Sequence, residues 1–197
     1  MIDEAVDAVR AGGLVIVPTD TVYGLATSPH REAHVRRLYE AKGRGEQQPT
    51  ALVACNLDML FESIPELRGA PGAVAAALLP GPYTLVLRNP ARRYPWLTGT
   101  KPEAIGVRVP ALTGPGREVL ERVGVLAATS ANLPGGRDPS RLEDVPAELR
   151  AAVDAEVDGG ELPGTPSTVI DCTGAKPLVL REGAVPAEEA LARLRPG

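Results

Sequence analysis

Aromatic side chains are scarce in this sequence: one tryptophan, one phenylalanine and four tyrosines, 3% of 197 residues. A core of that composition has to rest on Val, Leu, Ile and Ala. The only cysteines, Cys55 and Cys172, are too few for a disulfide framework. Both end apolar runs and are expected to be buried free thiols. The only histidines, His30 and His34, stand four residues apart without the Cys or Glu pattern of a zinc site. They read as surface residues at a helix start. No apolar run approaches the length that spans a bilayer, and Met1-Ile2-Asp3-Glu4 is too acidic for a signal peptide. The expectation is therefore a cytoplasmic chain with no membrane partner. Excess positive charge is missing too. The net charge of -4 removes the global basic field of a nucleic-acid binder and leaves only a local patch open.

What is present is ordinary for a globular chain. Hydrophobic residues make up 44% and mean hydropathy is -0.04. The length suits one domain with a sizeable core.

The organising stretch is Pro18-Thr19-Asp20-Thr21-Val22-Tyr23-Gly24-Leu25, directly after the buried-strand pattern Leu14-Val15-Ile16-Val17. Hydroxyls and a carboxylate at a strand end suit a ligand site in an α/β sheet. They suit equally a turn whose Thr and Asp side chains bond their own backbone. A helix is expected over residues 3–11, capped by Asp3 and ended by Gly12-Gly13, and another over 31–42. The second runs into Lys42-Gly43-Arg44-Gly45. That loop is either a phosphate cradle or a solvated basic turn, and it is not a Walker loop.

Further strand patterns follow at 52–54, 83–87, 105–109, 125–128, 167–171 and 178–181. Helices are expected at the Asn56 cap and over 71–79, 115–123, 142–153 and 187–194. Arg108 lies inside a strand, where it meets an anion, lines a cleft or forms a structural ion pair. Thr129-Ser130-Ala131-Asn132 again puts polar groups at a strand end. No repeat or linker interrupts the chain. Intermixed strands and helices imply a single α/β domain over 1–197, with a twisted mixed sheet and flanking helices.

Taken together, these pieces resemble the YrdC-like family of threonylcarbamoyl-adenylate synthases. The resemblance runs from Leu14 to Gly183. It is carried by Pro18 to Leu25, Lys42-Gly43-Arg44, Pro80-Gly81-Pro82-Tyr83-Thr84, Val107-Arg108-Val109-Pro110, Thr129 to Asn132, Ser167-Thr168-Val169-Ile170-Asp171 and Arg181-Glu182-Gly183. It implies a large concave cleft in which L-threonine, bicarbonate and ATP condense to threonylcarbamoyl-AMP and pyrophosphate, with Mg²⁺ accompanying ATP. A partner complex of threonylcarbamoyl-transferase proteins then passes the group to tRNA, which this chain itself can also contact.

The resemblance also implies residue roles. Lys42 and Arg44 match the catalytic pair on the triphosphate, and Ser130, Asn132 and Arg181 match nucleotide contacts. Thr21, Tyr23, Arg108 and Ser167 or Thr168 match the threonine pocket, with Tyr23 as its wall. No dedicated metal ligand is implied. Gly45, Thr50 and Pro134 depart from the family's usual residues, in and near the ATP loop. The expected form is the short one, without an added C-terminal domain. Two readings compete: an RNA-binding or ribosome-maturation protein using Arg36, Arg37, Lys42, Arg44, Arg92 and Arg93, and a paralogue with altered substrate on the same fold.

Overall fold

The expected strand at Leu14 is there, and the chain returns beside it at once. Strand β1 (Val15–Pro18) pairs antiparallel with β2 (Tyr23–Thr27), Pro18 opposite Tyr23. The organising stretch is thus a hairpin. Its second strand, Tyr23-Gly24-Leu25-Ala26-Thr27, is buried throughout and so lacks the alternation that would have flagged it. The computed structural model describes residues 1–45 and 47–194; residues 46 and 195–197, which the expected domain over 1–197 includes, lie outside the described residues.

The other strands are β3 (Ala51–Ala54), β4 (Tyr83–Arg88), β5 (Ala104–Arg108), β6 (Val125–Ser130), β7 (Ala155–Glu156), β8 (Thr168–Asp171) and β9 (Leu178–Arg181). They form one mixed sheet in the order β7-β1-β2-β6-β3-β5-β4-β8-β9. The pairs β1–β7, β3–β5 and β4–β8 are parallel and the rest antiparallel.

Helices α1 (Ile2–Arg10), α2 (Glu32–Ala41), α3 (Leu57–Ser63), α4 (Ala70–Leu78), α5 (Gly114–Val123), α6 (Ala147–Ala152) and α7 (Ala187–Ala192) cover the sheet unequally. The larger core gathers Leu38 of α2, Leu60 of α3, Leu78 of α4 and Leu149 of α6 against Leu85, Ile105 and Val107 of the sheet. A smaller core on β1 collects Val6 and Val9 of α1 and Val119 and Leu120 of α5. Side chains alternate across a strand with period two, so each strand divides its residues between two faces. In β4, Leu85 and Leu87 go to the core while Thr84, Val86 and Arg88 line a cavity. In β5, Ile105 and Val107 face the core while Gly106 and Arg108 line the cavity.

Several local expectations change. Asp3 does not cap α1; it lies in the first turn and pairs with Arg122. The helix expected over 142–153 breaks at Pro146 into a 3₁₀ turn (Leu142–Asp144) and α6, because Pro146 holds Val145 in extended backbone. Cys55 and Cys172 are half-buried rather than buried, though burial still pushes the Cys172 thiol up to about 11. His34 is half-buried too, its ring against Gly12, where a side chain could not fit. Among the described residues no helix is long and apolar enough to cross a membrane.

Candidate active site

The face of the sheet left open beside α5 holds a cavity of about 980 Å³. Its floor is built from the alternate residues of β4, β5, β6 and β8, and small side chains such as Gly106 and Ala128 leave the room. The wall at one side is α5, which reaches β1 so closely that a Cβ on Gly116 would meet the Pro18 carbonyl at 2.3 Å.

Arg108 points into this cavity from the end of β5. Its side chain is 12% exposed, and its Nη2 donates to Asp20 Oδ1 at 2.5 Å; Asp20 is 8% exposed. The other Asp20 oxygen accepts from the Ala111 amide at 3.0 Å, so the carboxylate is fully engaged. Arg108 Nη2 also reaches Thr21 Oγ1 at 3.3 Å. Arg108 Nε is buried and has no partner. A buried N–H left unmade costs about 1–3 kcal/mol. Burial lowers the guanidinium's proton affinity, Asp20 restores part of it, and nearby Arg181 lowers it again. Of the two readings of the hairpin turn, the self-bonded one is present in the structure. Thr19 Oγ1 donates to the Val22 carbonyl at 2.7 Å, a self-bonded turn, and that turn presents Asp20 to Arg108.

Beside Arg108, Arg181 Nη2 donates to the Ser167 carbonyl at 2.8 Å and lies 3.4 Å from Ser167 Oγ. Ser167 Oγ and Thr84 Oγ1 are 2.8 Å apart. Two guanidinium groups and two hydroxyls thus share one corner of the cavity. This corner depends on a backbone crossing: a Cβ on Gly183 would meet the Pro166 carbonyl at 2.2 Å.

Arg44 also lines the cavity, with Nη1 donating to Thr129 Oγ1 at 3.1 Å and Nη2 to the Pro49 carbonyl at 2.5 Å. Its Nε is buried and unpartnered, like that of Arg108. Ser130 is on the cavity wall.

The remaining candidates are not on the lining. Lys42 is 5% exposed and bonded to Ser130 and Asn132. Asn132 Nδ2 donates to the Gly136 carbonyl at 2.7 Å. Thr21 is buried behind Arg108. Thr168 is buried, donating to the Val185 carbonyl at 2.6 Å. Tyr23 is buried as well, and its hydroxyl donates to the Gly160 carbonyl at 2.8 Å and accepts from the Gly159 amide at 2.9 Å. Instead of walling the pocket, it anchors the loop at 158–160. Residues that carried no assigned role do face the cavity, among them Thr84, Arg88, Glu103 and Asp171. Thr84 and Arg88 were signalled by polar residues at alternate positions of an apolar strand.

Several of the basic residues weighed for RNA are ion-paired. Arg36 pairs with Glu32 at 2.9 Å, Arg37 with Asp154 at 3.0 Å and Arg93 with Glu66 at 2.7 Å. Lys42 is buried, and of that set only Arg44 lines the cavity.

The fold and the lining define an α/β protein with one large cavity on the open face of its sheet, into which Arg44, Arg108 and Arg181 bring positive charge. The chain belongs to the Sua5/YciO/YrdC family, whose model, described as "Telomere recombination", matches residues 7–183. It is 35% identical over 184 residues to the threonylcarbamoyl-AMP synthase of Pyrococcus abyssi, covering 92% of this chain and 53% of that protein. It is 33% identical over 185 residues to a putative threonylcarbamoyl-AMP synthase of Mycobacterium tuberculosis, covering 93% of this chain and 84% of that one. The crystal structure of P. abyssi Sua5 complexed with L-threonine superposes with a TM-score of 0.88 at 33% identity, over 98% of this chain and 57% of that one. The chain thus spans about half the length of the archaeal relative.

Proposed function

We propose that this chain is an L-threonylcarbamoyladenylate synthase, a nucleotidyltransferase of tRNA modification. The observation that carries the reading is one cavity with two arginine stations, Arg108 with Arg181 at one and Arg44 at the other, joined by a floor of small and hydroxylated side chains. An amino-acid carboxylate suits Arg108, whose guanidinium lines the cavity and is held in place by Asp20. Ser167 and Thr84 suit the amino and hydroxyl groups of threonine. Arg44 suits the phosphates, and Ser130 the nucleoside side.

The chemistry asked of the protein is placement. The threonine amine takes up bicarbonate with loss of water and gives a carbamate. A carbamate oxygen attacks the α-phosphorus in line, the bond from that phosphorus to the β-bridging oxygen breaks, and pyrophosphate leaves. No protein nucleophile is needed, and proximity with charge stabilisation supplies the rate. Magnesium would enter on the triphosphate with most of its waters. The product would pass to a threonylcarbamoyl-transferase complex acting on tRNA in the cytoplasm.

Pyrophosphate release, measured with each substrate omitted in turn, tests the reading. Release is expected only when L-threonine, bicarbonate and ATP are all present. Release that ignores threonine would mark a paralogue acting on another acceptor, and none under any condition would leave the enzyme reading without support.

A further inference from the structure

Neither Arg88 nor Lys101 belongs to the motifs that carry the family resemblance, yet both line the cavity. One row of paired residues, Ala127, Leu52, Val107 and Leu85, crosses the sheet. Thr84 and Arg108 lie on one side of that row, and Thr129 and Arg88 on the other. Alternate residues of β4 form the cavity floor, so Arg88 lies about 13 Å along the strand from Thr84. Arg88 stands across from Ala104, whose amide donates to the Lys101 carbonyl at 3.0 Å. Buried Asn89 clamps the same turn, its Nδ2 donating to the Pro102 carbonyl at 3.1 Å. Arg88 and Lys101 therefore share the end of the floor remote from Arg108. Arg44 serves that end through Thr129 on β6, which lies three strand spacings, about 14 Å, from β4.

The charges gathered there are not spent on one another. Arg88 Nε donates to the Thr173 carbonyl at 2.6 Å, and its two Nη groups have no protein partner among the described residues. The Lys101 ammonium has none either. Glu103 and Asp171 face the same cavity end. One Asp171 oxygen accepts from the Thr173 amide at 2.8 Å and from its hydroxyl at 2.6 Å, which leaves the other oxygen open. Two cations and two carboxylates thus border one end of the cavity with no ion pair between them among the described residues.

We propose that Arg88 and Lys101, opposite Arg44, hold the leaving pyrophosphate as its magnesium complex. In-line displacement puts the attacking and leaving oxygens on opposite sides of the phosphorus. With the threonine carboxylate at Arg108 and the carbamate entering from that corner, the leaving group points along β4 to the far end of the floor. Cations suit a polyphosphate there. Glu103 and Asp171 would repel the bare anion, but they match the metal-bearing one, because magnesium takes one or two carboxylates together with phosphate oxygens. The proposal rests on the synthase reading and adds to it a site for one product.

The experiment is calorimetric titration of ATP, AMP, L-threonine and pyrophosphate, the last with and without magnesium. The proteins are the wild type, Arg88→Ala, Lys101→Ala, their double variant and Glu103→Gln. Lys101 is exposed and without a side-chain partner among the described residues, so its loss leaves the fold intact. The double variant is expected to weaken magnesium pyrophosphate about tenfold, each single variant less, with AMP and threonine affinities unchanged. Glu103→Gln is expected to weaken magnesium pyrophosphate and to strengthen the metal-free ion. If the wild type binds ATP and the double variant keeps its pyrophosphate affinity, the proposal falls and the synthase reading stands. Equal weakening of AMP, threonine and pyrophosphate would mark a structural role and also overturn it. If the wild type binds neither ATP nor pyrophosphate, the nucleotide reading itself fails and takes the proposal with it.

Discussion

Lys42 and Arg108 are both cations nearly removed from water, and they stand at two regions of one sheet in opposite conditions. At the end of β6 the ammonium of Lys42 has every donor satisfied by backbone and amide oxygens. At the end of β5 the guanidinium of Arg108 is braced on one side by Asp20 and keeps a buried N–H without a partner. A satisfied buried cation holds structure together, whereas an incompletely satisfied one beside a cavity is ready for an anion. Burial alone therefore does not distinguish the two; the difference between them is the bond left unmade at Arg108 and its place on the cavity.

The sharpest way to break this contrast is to remove Arg108. Arg108→Ala strands the Asp20 carboxylate in a buried site, which should destabilise the fold by about 3–5 kcal/mol. Adding Asp20→Asn should return most of that stability in denaturant melts without returning threonine binding. If the double variant binds threonine normally, Arg108 is only a structural ion pair.

The choice of amino acid sharpens the Arg108 side. Valine lacks the hydroxyl that Ser167 and Thr84 would bond and leaves polar groups unpaired, so it should compete worst. Serine lacks only a methyl and should lose about 1–3 kcal/mol against threonine. Competition assays in which valine matches serine would remove the hydroxyls from the pocket.

Gly183 tests whether the corner depends on its backbone crossing. A Cβ there would lie 2.6 Å from the Ser167 carbonyl oxygen, so Gly183→Ala should cost on the order of 1–3 kcal/mol by overpacking and weaken threonine through Arg181 and Ser167. Thermal melts and threonine titrations check the two parts separately.

The smallest effect belongs to the closed region. Burial, reinforced by the Arg44 charge and opposed by Asp138, brings the Lys42 ammonium down to about 8. The cation is the form with three N–H bonds, and the neutral amine has two. Nucleotide affinity should therefore decline as pH rises through about 8, by less than tenfold, and Lys42→Met should lack that step. A wild-type profile flat from pH 7 to 9 would show that the third bond is dispensable.

Most of the sheet was legible because its strands carry clear apolar patterns and their ends carry polar groups. Tyr23 to Thr27 was not, since a strand buried on both faces does not alternate. Pro146 was a visible helix breaker and sets where α6 begins. Arg44, Arg108, Ser130, Ser167 and Arg181, which the family resemblance assigned to the site, do line the cavity. Thr21, Tyr23, Lys42, Asn132 and Thr168 belong to the same motifs and are not on its lining. Spacing gives proximity along the chain, and which side of a strand or turn a group faces is decided by partners far off in sequence. Asp20 was overlooked for the same reason: its role appears only when Arg108 arrives from 88 residues away.

The most direct test is a crossed titration of L-threonine and ATP into the Asp20→Asn/Arg108→Ala double variant and into Arg44→Ala. The double variant should lose threonine and keep ATP, and Arg44→Ala should lose ATP and keep threonine. Equal losses of both ligands in both variants would contradict two separate stations in one cavity.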